Sequence, residues 1–313
     1  MLKFTGFLCC LFVLHTHIAK AQEPEALVGW WDLSITRDGK TVPGWLEVEK
    51  SGVATLVGRA MVYVGSARPI SEIEFRDGHF WFTLPPQWIG PGDLQVSGIL
   101  EAGKLTGSMV APNGVSMAFT GTPAPLLLTP EPERWSRPRS LIGENSLDGW
   151  QTLPEGVTNQ WQVSDGILSS PESGANLRTA ETFSDFKLHV EFRIPEGSNS
   201  GIYLRGRYEV QVIDSYGKVP NSHEMGGVYG LLLPNENAGR PAGTWQTYDI
   251  TLVGRRVTVV LNGKTVISRQ IIPGVTGGAL DSDEAAPGPI LLQGDHGPVE
   301  YRNMTVSVPA DRN

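Results

Sequence analysis

The feature that most limits the fold of this 313-residue chain is a succession of short alternating segments separated by two-residue turns. In the first half they run from Trp30–Ile35 to Ser116–Thr120, with Asp38-Gly39, Asp77-Gly78 and Asn113-Gly114 among the turns. Alternation with a period of two is typical of half-buried strands, and tight glycine turns join antiparallel neighbours. The chain also has 37 Gly and 23 Pro, which disfavours a helical bundle. The sequence therefore predicts an all-β protein.

Prolines divide the chain into two halves. Residues 123–139 form a connector that contains Pro123, Pro125, Pro130, Pro132 and Pro138. Such a stretch favours an extended, semi-rigid backbone. We expect residues 22–122 to form a small accessory antiparallel domain, a closed or nearly closed β-barrel, and residues 140–313 to form a second domain. The barrel would either stabilise and position its neighbour or hold a ligand itself.

The second half also has the pattern of strands. The stretch Phe186–Ile194 alternates strictly between apolar and polar residues, and Tyr248–Leu252 and Val257–Leu261 follow it. Asn262-Gly263 predicts a tight hairpin after the last of these. Long alternating strands over about 170 residues are typical of a concanavalin-like or lectin-like jelly-roll β-sandwich.

The N-terminus predicts export. Lys3 precedes the apolar stretch Phe7–Leu14, and Ala19-Lys20-Ala21 resembles a cleavage site, so residues 1–21 are expected to be a cleaved signal peptide. We therefore expect a secreted protein, periplasmic or extracellular. The only two cysteines, Cys9 and Cys10, lie inside this segment, so the mature chain would have no disulfide.

Charge and hydropathy limit the partners. The formal net charge is −8 at pH 7, which disfavours nucleic acids and anionic membranes. No apolar run after the N-terminus reaches the roughly 20 residues of a membrane-spanning helix, so membrane insertion is not expected. A neutral carbohydrate is compatible with this balance.

The most informative segment is Asn199–Gly217, which predicts two strands around a tight turn at Gly206. Alternation then places four polar side chains on a single face of the hairpin, with Asp214 at its rim: Tyr203, Arg205, Glu209 and Gln211. A carboxylate, a guanidinium, an amide and a phenol suit the recognition of a sugar. The alternative is an ordinary exposed sheet face with cross-strand ion pairs.

A second candidate is His296, in the glycine-flanked loop Gln293–Gly297. A loop histidine can be a catalytic group or an ordinary surface residue. No cofactor is certain from the sequence, and a divalent cation stays open. Its oxygen and nitrogen ligands would come from a set whose spacing fits no compact metal motif: Glu209, Asp214, His223, Glu224, Asp295 and His296.

Several stretches of the second half resemble the 3-keto-disaccharide hydrolase domain family. They are SLIGENSLDGW (140–150), ETFSDFKLHVEFRIPEGSNSGIYLRG (181–206), YEVQVIDSYG (208–217) and LLQGDHGPVEYRNMTV (291–306). The first half resembles the N-terminal β domain of some members. One departure lies at residues 142–145, which read IGEN where members are closer to FNGK. The resemblance implies a lectin-like jelly roll, secreted by bacteria, that acts on 3-keto glycosides.

For such substrates a ketone at C3 acidifies the hydrogen on C2, so a base can start an elimination that expels the group on C1. Water then adds, and the net result is hydrolysis. On this hypothesis Glu209 or His296 is the base, and Arg205 or a divalent cation stabilises the enolate. Asp214 or His296 manages the proton of the leaving oxygen.

The remaining residues of the predicted site, Asn199, Tyr203 and Gln211, would orient the hydroxyls of the substrate. Two other functions fit the same residues. A conventional glycoside hydrolase would use Glu209 with a second carboxylate. A lectin-like sandwich that only binds carbohydrate would need no catalytic pair.

Overall fold

The computed structural model describes residues 23–88, 90, 92–154 and 156–310. The predicted signal peptide, with Cys9 and Cys10, lies outside the described residues. The described chain contains one short 3-10 helix, Pro24–Leu27, and 21 strands, which confirms the all-β prediction. None of the helical structure in these residues is long and apolar enough to cross a bilayer.

The first eight strands form a closed antiparallel barrel, in which each strand pairs with the next and β8 pairs back with β1. This confirms the predicted barrel. The strands are β1 (Gly29–Arg37), β2 (Lys40–Ser51), β3 (Thr55–Val62), β4 (Val64–Arg76), β5 (His79–Leu84), β6 (Leu94–Glu101), β7 (Lys104–Val110) and β8 (Ser116–Pro123).

Alternation explains how the barrel is filled. In β5 the side chains of Phe80, Phe82 and Leu84 are buried, and the residues between them are exposed. The ring of Phe80 lies against the backbone of the neighbouring strands, where a Cβ at Gly98 would come within 2.5 Å of the ring. A glycine is therefore needed at this position, because a larger residue would displace the ring.

The remaining strands form the predicted sandwich of two antiparallel sheets. One has the order β10-β13-β20-β15-β16, and the other has the order β11-β12-β21-β14-β17-β18-β19, with β9 pairing to β21. The strands are β9 (Arg139–Ser140), β10 (Trp150–Leu153), β11 (Gln162–Ser164), β12 (Ile167–Ser170), β13 (Asn176–Thr179), β14 (Phe186–Arg193), β15 (Asn199–Leu204), β16 (Tyr208–Ile213), β17 (Gln246–Val253), β18 (Arg256–Leu261), β19 (Lys264–Ile271), β20 (Leu291–Leu292) and β21 (Val299–Ser307).

The core of the sandwich lies between the two sheets. The alternating face of β14 is buried there, as its pattern predicts, and it includes Phe186, Val190 and Phe192. Phe192 stacks on Tyr248 of the adjacent strand, with ring centroids 4.7 Å apart. The opposite face of β14 carries the charged residues, among them Glu191, which accepts a hydrogen bond from Arg302 Nε at 2.7 Å.

The barrel has its own apolar core, and two of its residues also extend the core of the sandwich. Trp45 and Met61 of the barrel are fully buried within the apolar cluster of the sandwich. The indole of Trp45 lies so close to Gly274 that a Cβ there would be 2.1 Å from the ring. The connector also packs on the sandwich, since Arg255 N donates to Leu127 O at 3.3 Å. The two halves are therefore held in a fixed arrangement by packing.

Buried charges lie at the same junction. The Arg255 guanidinium is fully buried, 2.6 Å from Glu284 Oε1 and 3.9 Å from Asp32 Oδ1 of the barrel. Burial, and then the charge of Glu284, raises the pKa of Asp32 to about 9. One guanidinium cannot neutralise two buried carboxylates, so Asp32 keeps its proton at neutral pH.

Candidate active site

The hairpin of β15 and β16 places three predicted side chains together. In its register Tyr203 lies opposite Glu209, and Gly201 lies opposite Gln211. The side chains of Tyr203, Glu209 and Gln211 lie on the face of the hairpin that turns away from the core. The residues that alternate with them, such as Ile202 and Val210, face inward. The hairpin thus forms the floor of a candidate site.

Gly201 makes room for the carboxyl group. A Cβ at this position would lie 2.2 Å from Glu209 Oε1. Any side chain here would push the Glu209 carboxyl out of its place, so the glycine is required by packing.

Strand β20 brings His296 to the same face. It pairs with β15 through Ile202 and Leu292, and Gln293 N donates to Gly201 O at 2.9 Å. The chain then turns at Gly294, whose N–H donates to Asn176 Oδ1 at 2.7 Å. Asp295 and His296 follow at once, so the two distant segments of the sequence meet beside the hairpin.

A cleft of about 540 Å³ contains these groups. The sandwich supplies most of its lining, including Asn176, Asn199, Tyr203, Glu209, Gln211, Tyr229, Gln293, Asp295 and His296, and the barrel supplies Arg37, Tyr63, Val64, Gly65 and Trp88. This volume lies in the range of about 300–1,000 Å³ that accepts ligands of drug size. The barrel thus forms one wall of the cleft.

Glu209 has an unusual environment for a carboxyl group. Only 4% of it is exposed, and this burial raises its pKa to about 8, although the hydrogen bond with Tyr203 and the charge of His296 act in the opposite direction. A carboxyl with this pKa carries a proton at neutral pH and can give it up to a substrate.

The contacts of Tyr203 fit a protonated Glu209. Its hydroxyl oxygen lies 3.0 Å from Glu209 Oε2 and 2.9 Å from the carbonyl oxygen of Gly277. The phenol has one proton and the carbonyl can only accept, so both contacts become full hydrogen bonds when Glu209 donates to the phenol and the phenol donates to Gly277. Proton counting and burial therefore agree on the state of Glu209.

His296 forms a pair with the preceding residue. Its Nδ1 lies 2.6 Å from Asp295 Oδ1, and both side chains are about half exposed. The hydrogen bond that Nδ1 donates to Asp295 raises the pKa of His296. Burial alone would raise the pKa of Asp295, but the bonds from His296 and Asn176 lower it. Asp295 occupies Nδ1, which leaves Nε2 as the ring nitrogen that can meet a ligand.

Two amide oxygens of the cleft residues lack partners. Asn199 Oδ1 and Gln293 Oε1 are buried without a hydrogen bond, although both residues line the cleft. An unsatisfied buried acceptor is costly, and a ligand rich in hydroxyl donors would satisfy both. A carbohydrate is such a ligand.

Two predicted residues lie elsewhere, and their proposed roles need correction. Strand β15 ends at Leu204, and Arg205 takes a left-handed turn conformation with φ of 53°, which ends the alternation. Its guanidinium is buried and donates to Tyr208 Oη at 3.0 Å and Gly254 O at 3.1 Å. Arg205 is not in the cleft lining, so it cannot stabilise an enolate there.

Asp214 is also outside the cleft lining. Its Oδ2 accepts a hydrogen bond from Gly197 N at 3.0 Å, which holds the turn before β15. Gln211 does line the cleft, but its amide group contacts the backbone, with Nε2 donating to His223 O at 3.3 Å and Oε1 accepting from Val212 N at 3.1 Å. Both ends of its amide group are therefore engaged by the backbone.

The sequence analysis missed several lining residues. Tyr229 lies in the glycine-rich stretch GGVYG (226–230), and its ring meets His223 edge to face at 5.0 Å. The sequence pattern indicates Asp295 as a metal ligand, although its position next to a loop histidine also allows a carboxylate–imidazole pair. Nothing in the local pattern indicates the barrel residues, because the cleft forms only when the two halves pack.

The metal alternative finds no support in the arrangement of side chains. In the part of the chain that the structure describes, no group of three or more His, Cys, Asp or Glu side chains could hold a metal ion. Asp214 is bound to a turn, and His223 lies against Tyr229. Three of the six predicted ligands, Glu209, Asp295 and His296, line the cleft, and the other three lie outside its lining.

Comparison with known proteins gives a family. Residues 137–307, more than half of the chain, match the profile of the 3-keto-alpha-glucoside-1,2-lyase-like domain. A proposed glycosyl hydrolase from Parabacteroides distasonis is 28% identical, with 57% of this chain and 92% of that chain covered and a TM-score of 0.47. A second one from this organism is 17% identical, with 56% and 94% covered and a TM-score of 0.47. No curated protein matches the chain.

Proposed function

The chain belongs to the 3-keto-alpha-glucoside-1,2-lyase-like domain family, and from this premise we propose that it cleaves glycosides whose sugar ring carries a ketone at C3. One observation carries the proposal: a buried carboxyl with a pKa of about 8, Glu209, and an aspartate-paired imidazole, His296, line the same cleft. An elimination next to a ketone needs one acid and one base, and this cleft offers both.

The reaction begins at C2. The ketone makes the C2 hydrogen acidic, and a base removes it to give an enolate. The electron pair then forms the C1–C2 double bond, and the C1–O bond breaks with its electrons on the leaving oxygen. An acid protonates this oxygen. Water can afterwards add across the double bond, with its oxygen on C1 and a proton on C2, which gives the free 3-keto sugar.

His296 is the base in this scheme, and Glu209 is the acid. Nε2 of His296 takes the C2 proton, while Asp295 orients the ring and stabilises the imidazolium that forms. Glu209 is protonated at neutral pH and gives its proton to the leaving oxygen. Tyr203 holds the Glu209 carboxyl in place through the contact of 3.0 Å.

The enolate needs a hydrogen-bond donor, because Arg205 does not reach the cleft. We assign this role to the phenol of Tyr229, whose ring is fixed by His223. The unpartnered amide oxygens of Asn199 and Gln293 accept hydrogen bonds from the hydroxyl groups of the reacting ring. The predicted signal peptide would bring the enzyme to the periplasm or the cell exterior. N-terminal sequencing of the mature protein would detect cleavage after Ala21.

A paired assay tests the proposal. A disaccharide and its 3-keto derivative are each incubated with the protein, with and without a chelator, and the release of the leaving sugar is measured. We expect release from the keto sugar alone, unchanged by the chelator. Cleavage of the unoxidised sugar would indicate a conventional glycoside hydrolase, and binding without cleavage would indicate a lectin.

The assay includes variants of both groups. Glu209→Gln and His296→Ala should each lower kcat by about 100-fold or more. His189→Ala is the matched control, because His189 also pairs with an aspartate, Asp249, at 2.8 Å, but lies on the other sheet of the sandwich. This control should retain activity.

A further inference from the structure

The barrel forms a wall of the cleft whose residues have no role in the scheme above. Arg37 ends β1, and its guanidinium lies 4.4 Å from the centroid of the Tyr63 ring. Trp88 lies at the same wall and is 68% exposed. Aromatic rings with one polar group are a common lining of sites that bind sugar or aromatic rings.

The backbone of this wall is held in a strained conformation. Tyr63 is the single residue between β3 and β4, and it has a φ of 48°, in the left-handed region. Such a conformation is strained for a residue with a side chain as large as that of tyrosine, and the surrounding structure must hold it. Tyr63 N donates to Pro43 O at 3.0 Å, which holds the backbone of Tyr63 at the cleft.

A short loop of the sandwich connects this wall to Glu209. Gly278 N donates to Tyr63 O at 3.1 Å, and the carbonyl of the preceding residue, Gly277, contacts the hydroxyl of Tyr203 at 2.9 Å. Tyr203 in turn holds Glu209. The loop fits only with glycines, since a Cβ at Gly277 would lie 2.1 Å from Gly65 O. The wall and the acid therefore border the same end of the cleft.

The position of the acid indicates what the wall contacts. In the proposed function Glu209 gives its proton to the leaving oxygen, so the leaving group must lie next to Glu209. The reacting ring lies toward His296, Asn199 and Gln293. The end of the cleft beside Glu209 is bordered by Tyr63, so the leaving group meets the barrel.

We propose that Arg37, Tyr63 and Trp88 of the barrel form the subsite for the leaving group, and that this subsite selects 3-keto glycosides whose leaving group is itself a ring, such as a second pyranose. The inference rests on the proposed function. A cleft of about 540 Å³ has room for a ligand the size of a disaccharide. The aromatic rings would stack on the apolar face of the second ring, and Arg37 would donate to its hydroxyls.

The test compares two substrates that share the reacting ring. One is a 3-keto disaccharide, and the other is the methyl 3-keto glucoside, which has no ring to fill the subsite. Trp88→Ala and Arg37→Met should each lower kcat/KM for the disaccharide about tenfold more than for the methyl glycoside, mainly through KM. Trp81→Ala is the control, because Trp81 is an exposed tryptophan on β5, outside the cleft lining.

The outcomes are distinct. Equal effects on the two substrates, or no effect on either, would overturn the subsite, and so would a loss confined to kcat. A wild-type protein that releases nothing from either keto substrate would instead overturn the proposed function. Thermal unfolding of each variant separates a loss of folding from a loss of binding, since both changed side chains are partly exposed.

Discussion

Tyr203 and Glu209 lie directly opposite each other across the β15–β16 hairpin, with the phenol oxygen 3.0 Å from the carboxyl group. Through the same phenol, Glu209 is connected to the loop of Gly277 and Gly278, which contacts Tyr63 of the barrel. This arrangement makes the protonation of Glu209 a property of the fold, because the phenol donates its only proton to Gly277 when Glu209 holds its own. Tyr203 thus contacts both the proposed acid and the loop that packs on the barrel.

The pH dependence of kcat/KM should be bell-shaped. The base must be free of its proton, so activity rises as the pH passes the pKa of His296, which Asp295 holds above its usual value. The acid must keep its proton, so activity falls as the pH passes about 8, the pKa of Glu209. Initial rates between pH 5 and 10 measure both limbs.

Tyr203→Phe provides a check on the falling limb. When Glu209 is ionised, the phenol can turn its proton from Gly277 to the carboxylate, and this hydrogen bond lowers the pKa of Glu209. Its loss should therefore move this limb to higher pH. A limb that does not move would mean that another group controls it.

Asp214→Asn should retain activity. The amide oxygen of Asn can still accept the hydrogen bond from Gly197 N, and the residue is not in the cleft lining. We expect kcat within about twofold of the wild type, against the large loss in Glu209→Gln. A loss of 100-fold in Asp214→Asn, with unfolding unchanged, would restore Asp214 as a catalytic acid.

The charges at the domain junction predict opposite effects of two neutral substitutions. Because the pKa of Asp32 is raised from 3.8 to about 9, the folded state holds a proton that the unfolded state has lost. The contribution of protonated Asp32 to the stability of the fold is complete below pH 3.8 and declines as the pH rises toward 9. Asp32→Asn should therefore flatten the fall in stability between pH 5 and 9, as measured by urea unfolding.

Glu284→Gln is the matched variant. It removes the carboxylate that contacts Arg255 at 2.6 Å, so the buried guanidinium keeps only the more distant carboxyl of Asp32, at 3.9 Å. It should lower the free energy of unfolding by about 3 kcal/mol at neutral pH. If Asp32→Asn destabilised as strongly as Glu284→Gln at pH 8, Asp32 would be charged in the folded protein.

Gly274→Ala should destabilise the junction of the two halves. The added Cβ would lie 2.1 Å from the fully buried ring of Trp45, and such overpacking costs about 1–3 kcal/mol. Gly92→Ala is the control, because its nearest contact would be an ordinary 3.8 Å. Thermal unfolding should show a lower Tm for Gly274→Ala alone. Equal Tm values would mean that Trp45 and its neighbours can move to accommodate the added methyl group at little cost in stability.

The sequence predicts strands well because alternation depends on which face is buried. It therefore anticipates the barrel, the sandwich and the common face of Tyr203, Glu209 and Gln211. It fails for Arg205 because the alternation stops where the chain leaves the strand, and the conformation of a single turn residue decides where the side chain goes. Local spacing does not show this.

The barrel wall could not be predicted for a different reason. Arg37, Tyr63 and Trp88 carry no motif, and they line the cleft because the barrel packs on the sandwich, through Trp45 and through the contact of Gly278 with Tyr63. A contact between two halves depends on shape complementarity of distant residues, and one sequence contains no direct signal for it.

The most direct test of the account follows the hydrogen on C2. A 3-keto glycoside labelled with deuterium at C2 is incubated with the wild-type protein in ordinary water, and the label is measured in the released sugar. Incubations of the same product without protein, and with His296→Ala, correct for spontaneous exchange. We predict that each cleavage by the wild type removes the label, because the C1–O bond breaks only after His296 has taken the C2 hydrogen. Cleavage that leaves the deuterium on C2 would contradict the account.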